Sequence, residues 1–151
     1  MKTIYRKLFL VFLVSFITAH GYAQNFIGQH KSEIRKNVRE AYPGFVFDNE
    51  VENGKKSFVK YVNTFEEQTL LFILDESGYC TSTARMYNSW LFAKVKKDLD
   101  AKYKPKDSHT WLDYSNGKIY EIDLRKGKWY FTVITRPKNS KVIGLWKPPS
   151  Y

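Results

Sequence analysis

Between Tyr114 and Pro137 the chain reads YSNGKIYEIDLRKGKWYFTVITRP, with large side chains recurring at alternate positions. Successive side chains of a strand point to opposite faces, so a period of two marks a half-buried strand. The stretch therefore has to be sheet, and Asn116-Gly117 and Lys126-Gly127 mark where it reverses. A two-residue turn at Lys126-Gly127 sets Leu124 opposite Trp129, Ile122 opposite Phe131 and Tyr120 opposite Val133. A three-residue turn would set Glu121 and Asp123 beside Phe131 and Trp129. A slip of one residue turns every side chain over, so the first register is expected. By the same logic Asn116-Gly117 places Trp111 opposite Ile122. The inner face then holds Trp111, Tyr120, Ile122, Leu124, Trp129, Phe131 and Val133, with His109 inward near Leu124. Lys118, Arg125, Lys126, Lys128 and Arg136 fall at turns and strand ends.

The other face in this register carries Leu112, Tyr114, Ile119, Tyr130 and Ile134 beside Glu121, Asp123 and Thr132. That is more apolar than a solvated sheet face requires. Two readings follow: the tail segment VIGLW, 142–146, folds over it, or these five side chains form a partner surface.

Earlier in the chain, SEIRKNVREAY at 32–42 repeats Ile34, Val38 and Ala41 at helical spacing, with Ser32 as N-cap and Glu33 in the first turn. Pro43-Gly44 stops that helix. Strands follow at 45–47, 57–62, 69–74 and 79–87, with turns at Asn53-Gly54 and 75–78. A second helix, capped by Asn88 or Ser89, runs to Tyr103 on Leu91, Val95, Leu99 and Tyr103, before strands at 110–114, 118–124 and 128–135. The expected fold is α+β, with two helices packed on antiparallel sheet. Asn53-Gly54-Lys55 and Asn116-Gly117-Lys118 hint at a duplicated helix-plus-meander unit with halves 26–87 and 88–136, although turn residues also recur by chemistry alone.

The first 23 residues carry Lys2, Arg6 and Lys7, an apolar run from Leu8 to about Ala19, and small residues at Gly21 and Ala23. This is the pattern of a cleaved secretory signal, and the run is shorter than the ~20 residues a spanning helix needs. The expected mature protein is exported, periplasmic or secreted, has no transmembrane segment, and forms a single domain over 24–136 with a tail at 137–151. Its one cysteine, Cys80, cannot pair internally and is expected to be buried.

Charge is uneven. Residues 24–93 hold 8 cations and 9 acids, whereas 94–151 hold 14 and 6. Lys94, Lys97, Lys104 and Lys106 in KVKKDLDAKYKPK are either a solvated helix face or a site for an anionic envelope surface. Export argues against nucleic acid, and lysine lacks the planar fork suited to specific phosphate or base recognition.

Catalytic constellations are scarce. His30 and His109 are the only histidines after the signal, no metal-ligand spacing is visible, and the glycines show no phosphate-loop pattern. Asp107, His109 and Asp113 form the densest polar cluster, and Cys80 with His109 is a thiol–imidazole pair that a small enzyme could use. No cofactor is expected.

The order signal, FIGQHKSEIRKNV, helix, meander, helix, meander resembles the small exported domains related to β-lactamase-inhibitor proteins and the outer-membrane SmpA/OmlA family. In those a segment like Ile27-Gly28 with Ser32 and Ile34 opens the first helix. Their glycine-proline turn is reversed here as Pro43-Gly44, and the acylated cysteine of the lipoprotein members is missing. The resemblance implies a fold and a tendency towards protein binding. The expected function is thus a noncatalytic protein-binding or inhibitor-like module of the cell envelope, with an electrostatic adaptor for anionic surfaces as the alternative.

Overall fold

The computed structural model describes residues 26–53, 56–115 and 117–139. The expected signal peptide and the VIGLW tail segment lie outside the described residues. The rest is mixed α+β and mostly sheet. Helix α1 is Lys31–Ala41, followed by β1 (Val46–Asn53), β2 (Lys56–Asn63), β3 (Gln68–Leu74) and β4 (Cys80–Asn88). A 3-10 turn, Ser89–Leu91, leads into α2 (Phe92–Lys102), then β5 (Lys104–Pro105), β6 (Thr110–Ser115), β7 (Lys118–Lys126) and β8 (Tyr130–Pro137). All eight strands join one antiparallel sheet in the order β1-β2-β3-β4-β8-β7-β6-β5.

Two clusters on the same face of this sheet make the core. Ile34 and Val38 of α1 pack with Phe26, Val59, Tyr61, Leu70, Phe72, Leu74 and Cys80. Leu91 and Leu99 pack with Trp111, Ile122, Leu124 and Phe131. Register explains the grouping, since Tyr61 pairs with Leu70, and Trp111 with Ile122, placing them on one face. Bulges keep the pattern in step. One between Phe47 and Asn49 lets Phe47 meet the Tyr61 ring while Glu50 reaches Lys31 and Arg35 on α1 at 2.8 and 2.7 Å. The two-residue edge strand Lys104–Pro105 offers little to a foreign strand, because it is short, charged and lacks a proline N–H.

The first helix starts earlier than its sequence suggests, with His30 rather than Ser32 as N-cap. Tertiary pairing decides this. Gly28 N–H donates to Cys80 O, Cys80 N–H to Gln29 O and Lys31 N–H to Gly78 O, which holds the chain extended as far as His30. Glu33 then accepts from the His30 backbone N–H at 3.2 Å. Gly78, at φ +80°, makes this docking possible: an added Cβ would lie 3.0 Å from His30 Nε2. Glu33→Ala should lower stability by about 1 kcal/mol in urea denaturation; an unchanged midpoint would show that the cap contributes nothing.

Two expectations about the second hairpin need correction. Trp111 does lie opposite Ile122, but β7 and β8 pair as Lys126 with Phe131 and Leu124 with Val133. The reversal is longer than two residues, and Gly127 N–H donates to Tyr130 O at 2.8 Å within it. The shift is an even number of residues, so Tyr120, Ile122, Leu124 and Phe131 keep their inward face and are buried. Trp129 falls in the turn and is 72% exposed. His109 is also exposed; only its backbone oxygen meets Leu124 N–H, at 2.9 Å. Nor do the two Asn-Gly turns correspond. The chain reverses after Asn53 between β1 and β2, the first hairpin after α1, whereas Gly117 lies between β6 and β7, the second hairpin after α2.

Candidate functional site

The helix-free face is built from the residues between those that enter the core. On it lie Phe58 and Val62 of β2, Leu71 and Ile73 of β3, Ala84 and Met86 of β4, and Tyr130 and Ile134 of β8. β7 and β6 add Ile119, Glu121, Asp123, Leu112 and Tyr114. Strand β3, QTLLFIL, can face both ways because its run is apolar at every position from Leu70 to Leu74. Both core clusters lie on the opposite face.

Of the five side chains expected to form a partner surface, the fold brings Leu112, Tyr114 and Ile119 together. Tyr114 and Ile119 are a cross-strand pair, 58% and 37% exposed, and Leu112 stands two residues along β6 on the same side. Ile134 and Tyr130 are set apart from them, half-buried on β8 beside Ala84 and Asn88. Between the two groups runs a charged ladder. Glu121 takes Lys106 at 2.7 Å and Arg136 at 2.6 Å, and Arg136 also reaches Asp123 at 2.8 Å. Hydrogen bonds from Lys106 first, and from Arg136 next, hold the Glu121 carboxyl below its usual range. The apolar stretch over β2, β3 and β4 was missed in the sequence, although the unbroken β3 run is a signal for it.

The four lysines proposed for polyanions divide as well. Lys94 and Lys97 are exposed on α2, and Lys104 is exposed on the edge strand β5. Lys106 is held by Glu121, so part of its charge is answered within the protein. Cys80 is buried, as expected, and burial pushes its thiol up to about 12. Strands β8 and β7 stand between β4, which begins at Cys80, and β6, which follows His109; at ~4.8 Å per strand that is on the order of 14 Å. The fold does not bring the thiol and imidazole together. Asp107 Oδ1 accepts from the His109 backbone N–H, not from its ring, while Asp113 lies opposite Tyr120 on the helix-covered face. Among the described residues no three His, Cys, Asp or Glu side chains gather as a metal set, and no helix is long and apolar enough to cross a membrane.

A second feature lies between the helices. A groove of about 450 Å³ has a floor of strands β3, β4, β7 and β8 and walls from Tyr42 and α2. Arg85 stands in it, its guanidinium 5.5, 5.2 and 5.0 Å from the rings of Tyr42, Phe45 and Tyr87. Its Nε and Nη2 both donate to Gln68 Oε1, at 3.0 and 2.6 Å.

The chain matches no protein-family model, no curated protein and no solved structure.

Proposed function

We propose that this is an exported, noncatalytic binding module of the cell envelope that engages a protein partner through the helix-free face of its sheet. One observation carries the reading: apolar side chains stand on that face on strands β2, β3, β4, β6, β7 and β8, among them the exposed pair Tyr114 and Ile119. The apolar side chains lie on either side of the charged ladder, whose charges are already paired within the protein, and a protein interface buries apolar patches together with such satisfied polar groups. Scattered single apolar residues would need no such explanation.

In this reading the fold is a duplicated helix-plus-meander unit, with both helices laid on one face and the other left for the partner. The strand order supports it, since β1 to β4 and β5 to β8 run inward from opposite edges to a central β4/β8 pair. That is the arrangement two copies of one unit adopt about a two-fold axis normal to the sheet.

Mature 24–151 should retain one protein from envelope or secreted fractions in a wash at 1 M salt, where the Debye length is ~3 Å. The double variant Tyr114→Ser, Ile119→Ser should lose it while unfolding at the same urea concentration within error, because surface changes usually stay within ~0.5 kcal/mol. Retention by the variant would remove this face from the reading. Loss of all binding at high salt, with anionic lipid or glycan in the low-salt eluate, would favour the electrostatic adaptor through Lys94, Lys97 and Lys104.

A further inference from the structure

The groove between the helices presents a separate problem of charge. Arg85 is half-buried, ringed by aromatic faces, and bonded to a neutral amide oxygen. Among the described residues no carboxylate lies within ion-pair distance of it. The lining carries Arg85, Lys94 and Lys102 against Glu66 and Asp98, so the groove holds one cation in excess, and Arg85 is the one that is half-buried while both lysines are exposed. The neighbouring phenols do not answer it. Burial raises the pKa of Tyr42 and pushes that of Tyr87 up to about 12, so both are neutral at physiological pH.

The geometry of the guanidinium restricts what fits. Gln68 Oε1 occupies the Nε/Nη2 edge, and the described residues leave the Nη1/Nη2 edge without an acceptor. Two parallel N–H groups on such an edge match the two oxygens of a carboxylate. Around it six apolar side chains, Leu70, Leu91, Val95, Leu99, Ile122 and Val133, share the lining with polar and charged ones. Inorganic phosphate or sulfate could use the donor edge and the exposed Lys94 and Lys102, but would leave the six apolar side chains uncovered. The volume falls within the ~300–1,000 Å³ usual for small-molecule sites.

We infer that this groove binds a small organic monocarboxylate, its carboxylate on the free edge of Arg85 and its aromatic or aliphatic body against the apolar lining. The site is on the opposite side of the sheet from the partner face, so the two are independent. The bound anion supplies the missing counter-charge, and the apolar body excludes water from the pair, which strengthens it.

The test uses 3-phenylpropionate and its neutral primary amide as probes, titrated into the purified protein at neutral pH by calorimetry and by NMR of arginine Nε signals. The acid should bind saturably below millimolar concentration and shift the Arg85 signal, and the amide should bind at least tenfold more weakly. Arg85→Gln should lose the acid by a similar factor. Because that variant also removes three ring contacts and can destabilise the fold, Gln68→Glu is the second arm: it answers the Arg85 charge from within while leaving the free edge in place, and should weaken acid binding at least tenfold while circular dichroism stays native. Equal binding of acid and amide, binding of neither, equal affinity for inorganic phosphate, or undiminished binding by Gln68→Glu would each overturn the assignment.

Discussion

Replacing Trp111 with alanine is expected to remove about 3–5 kcal/mol of stability, the range for losing a large buried aromatic. Trp111 is fully buried and packs in one cluster with Leu99 of α2 and with Ile122, Leu124 and Phe131. Its indole N–H donates to Asp100 Oδ1 at 2.9 Å, and Lys96 Nζ stands 5.6 Å from the ring centre while also pairing with Asp100. The ring therefore ties β6 to α2 by packing and by a polar clasp. A domain of this size has only about 5–15 kcal/mol in total, so the alanine variant should unfold at much lower urea concentration or fail to fold. Trp111→Phe keeps most of the buried area and loses the hydrogen bond, and should cost about 1–2 kcal/mol. If circular dichroism gave Trp111→Ala the wild-type urea midpoint, the second core cluster would be wrongly drawn.

Raising the pH above 9 should destabilise the protein steeply. Burial pushes the Cys80 thiol from 9.0 to about 12 and the Tyr87 phenol from 10.0 to about 12. The unfolded chain releases these protons near the ordinary values, while the folded chain holds them until about pH 12. Over that window the unfolded state binds fewer protons, so stability is fully present below about pH 9 and is lost as pH climbs towards 12. Each pKa unit corresponds to about 1.4 kcal/mol, so the combined loss is on the order of several kcal/mol. Urea midpoints between pH 8 and 11 measure it. Cys80→Ala should flatten the lower part of the decline and Tyr87→Phe the upper part. A flat wild-type profile would mean that neither group is buried as described. The same burial predicts that a thiol reagent at pH 8 leaves Cys80 unmodified until the chain unfolds.

Much of the sheet was legible because its alternation is local. Thr110–Ser115 and Lys118–Lys126 lie close to the expected strands, and Trp111 faces Ile122 as the Asn-Gly turn requires. The second hairpin differs for a reason that alternation cannot report. A period of two fixes which side chains share a face but is blind to an even shift, so the longer reversal between Lys126 and Phe131 was concealed. Only Trp129 and His109 changed environment, and both stand outside the regular strands, at a turn and before a strand. The β5 edge strand was also illegible, since two residues form no pattern.

The candidate sites were less legible. Leu112, Tyr114 and Ile119 could be grouped because they share one hairpin. Arg85 carries no signal in the sequence, as one cation in TSTARMYN resembles any surface charge on a strand. Its significance arises from Tyr42 and Phe45, some forty residues earlier in the chain, and from Gln68 on the neighbouring strand.

Local chemistry alone thus determined the two helices, the longer strands and the inward set of β6 and β7, since each depends on the spacing of near neighbours. The tertiary structure decided the β4/β8 junction that joins two four-strand runs into one sheet, the placing of both core clusters on one face, and the groove around Arg85. Those features depend on contacts between residues far apart in sequence, and such pairings are set by burial of the whole surface rather than by any local period.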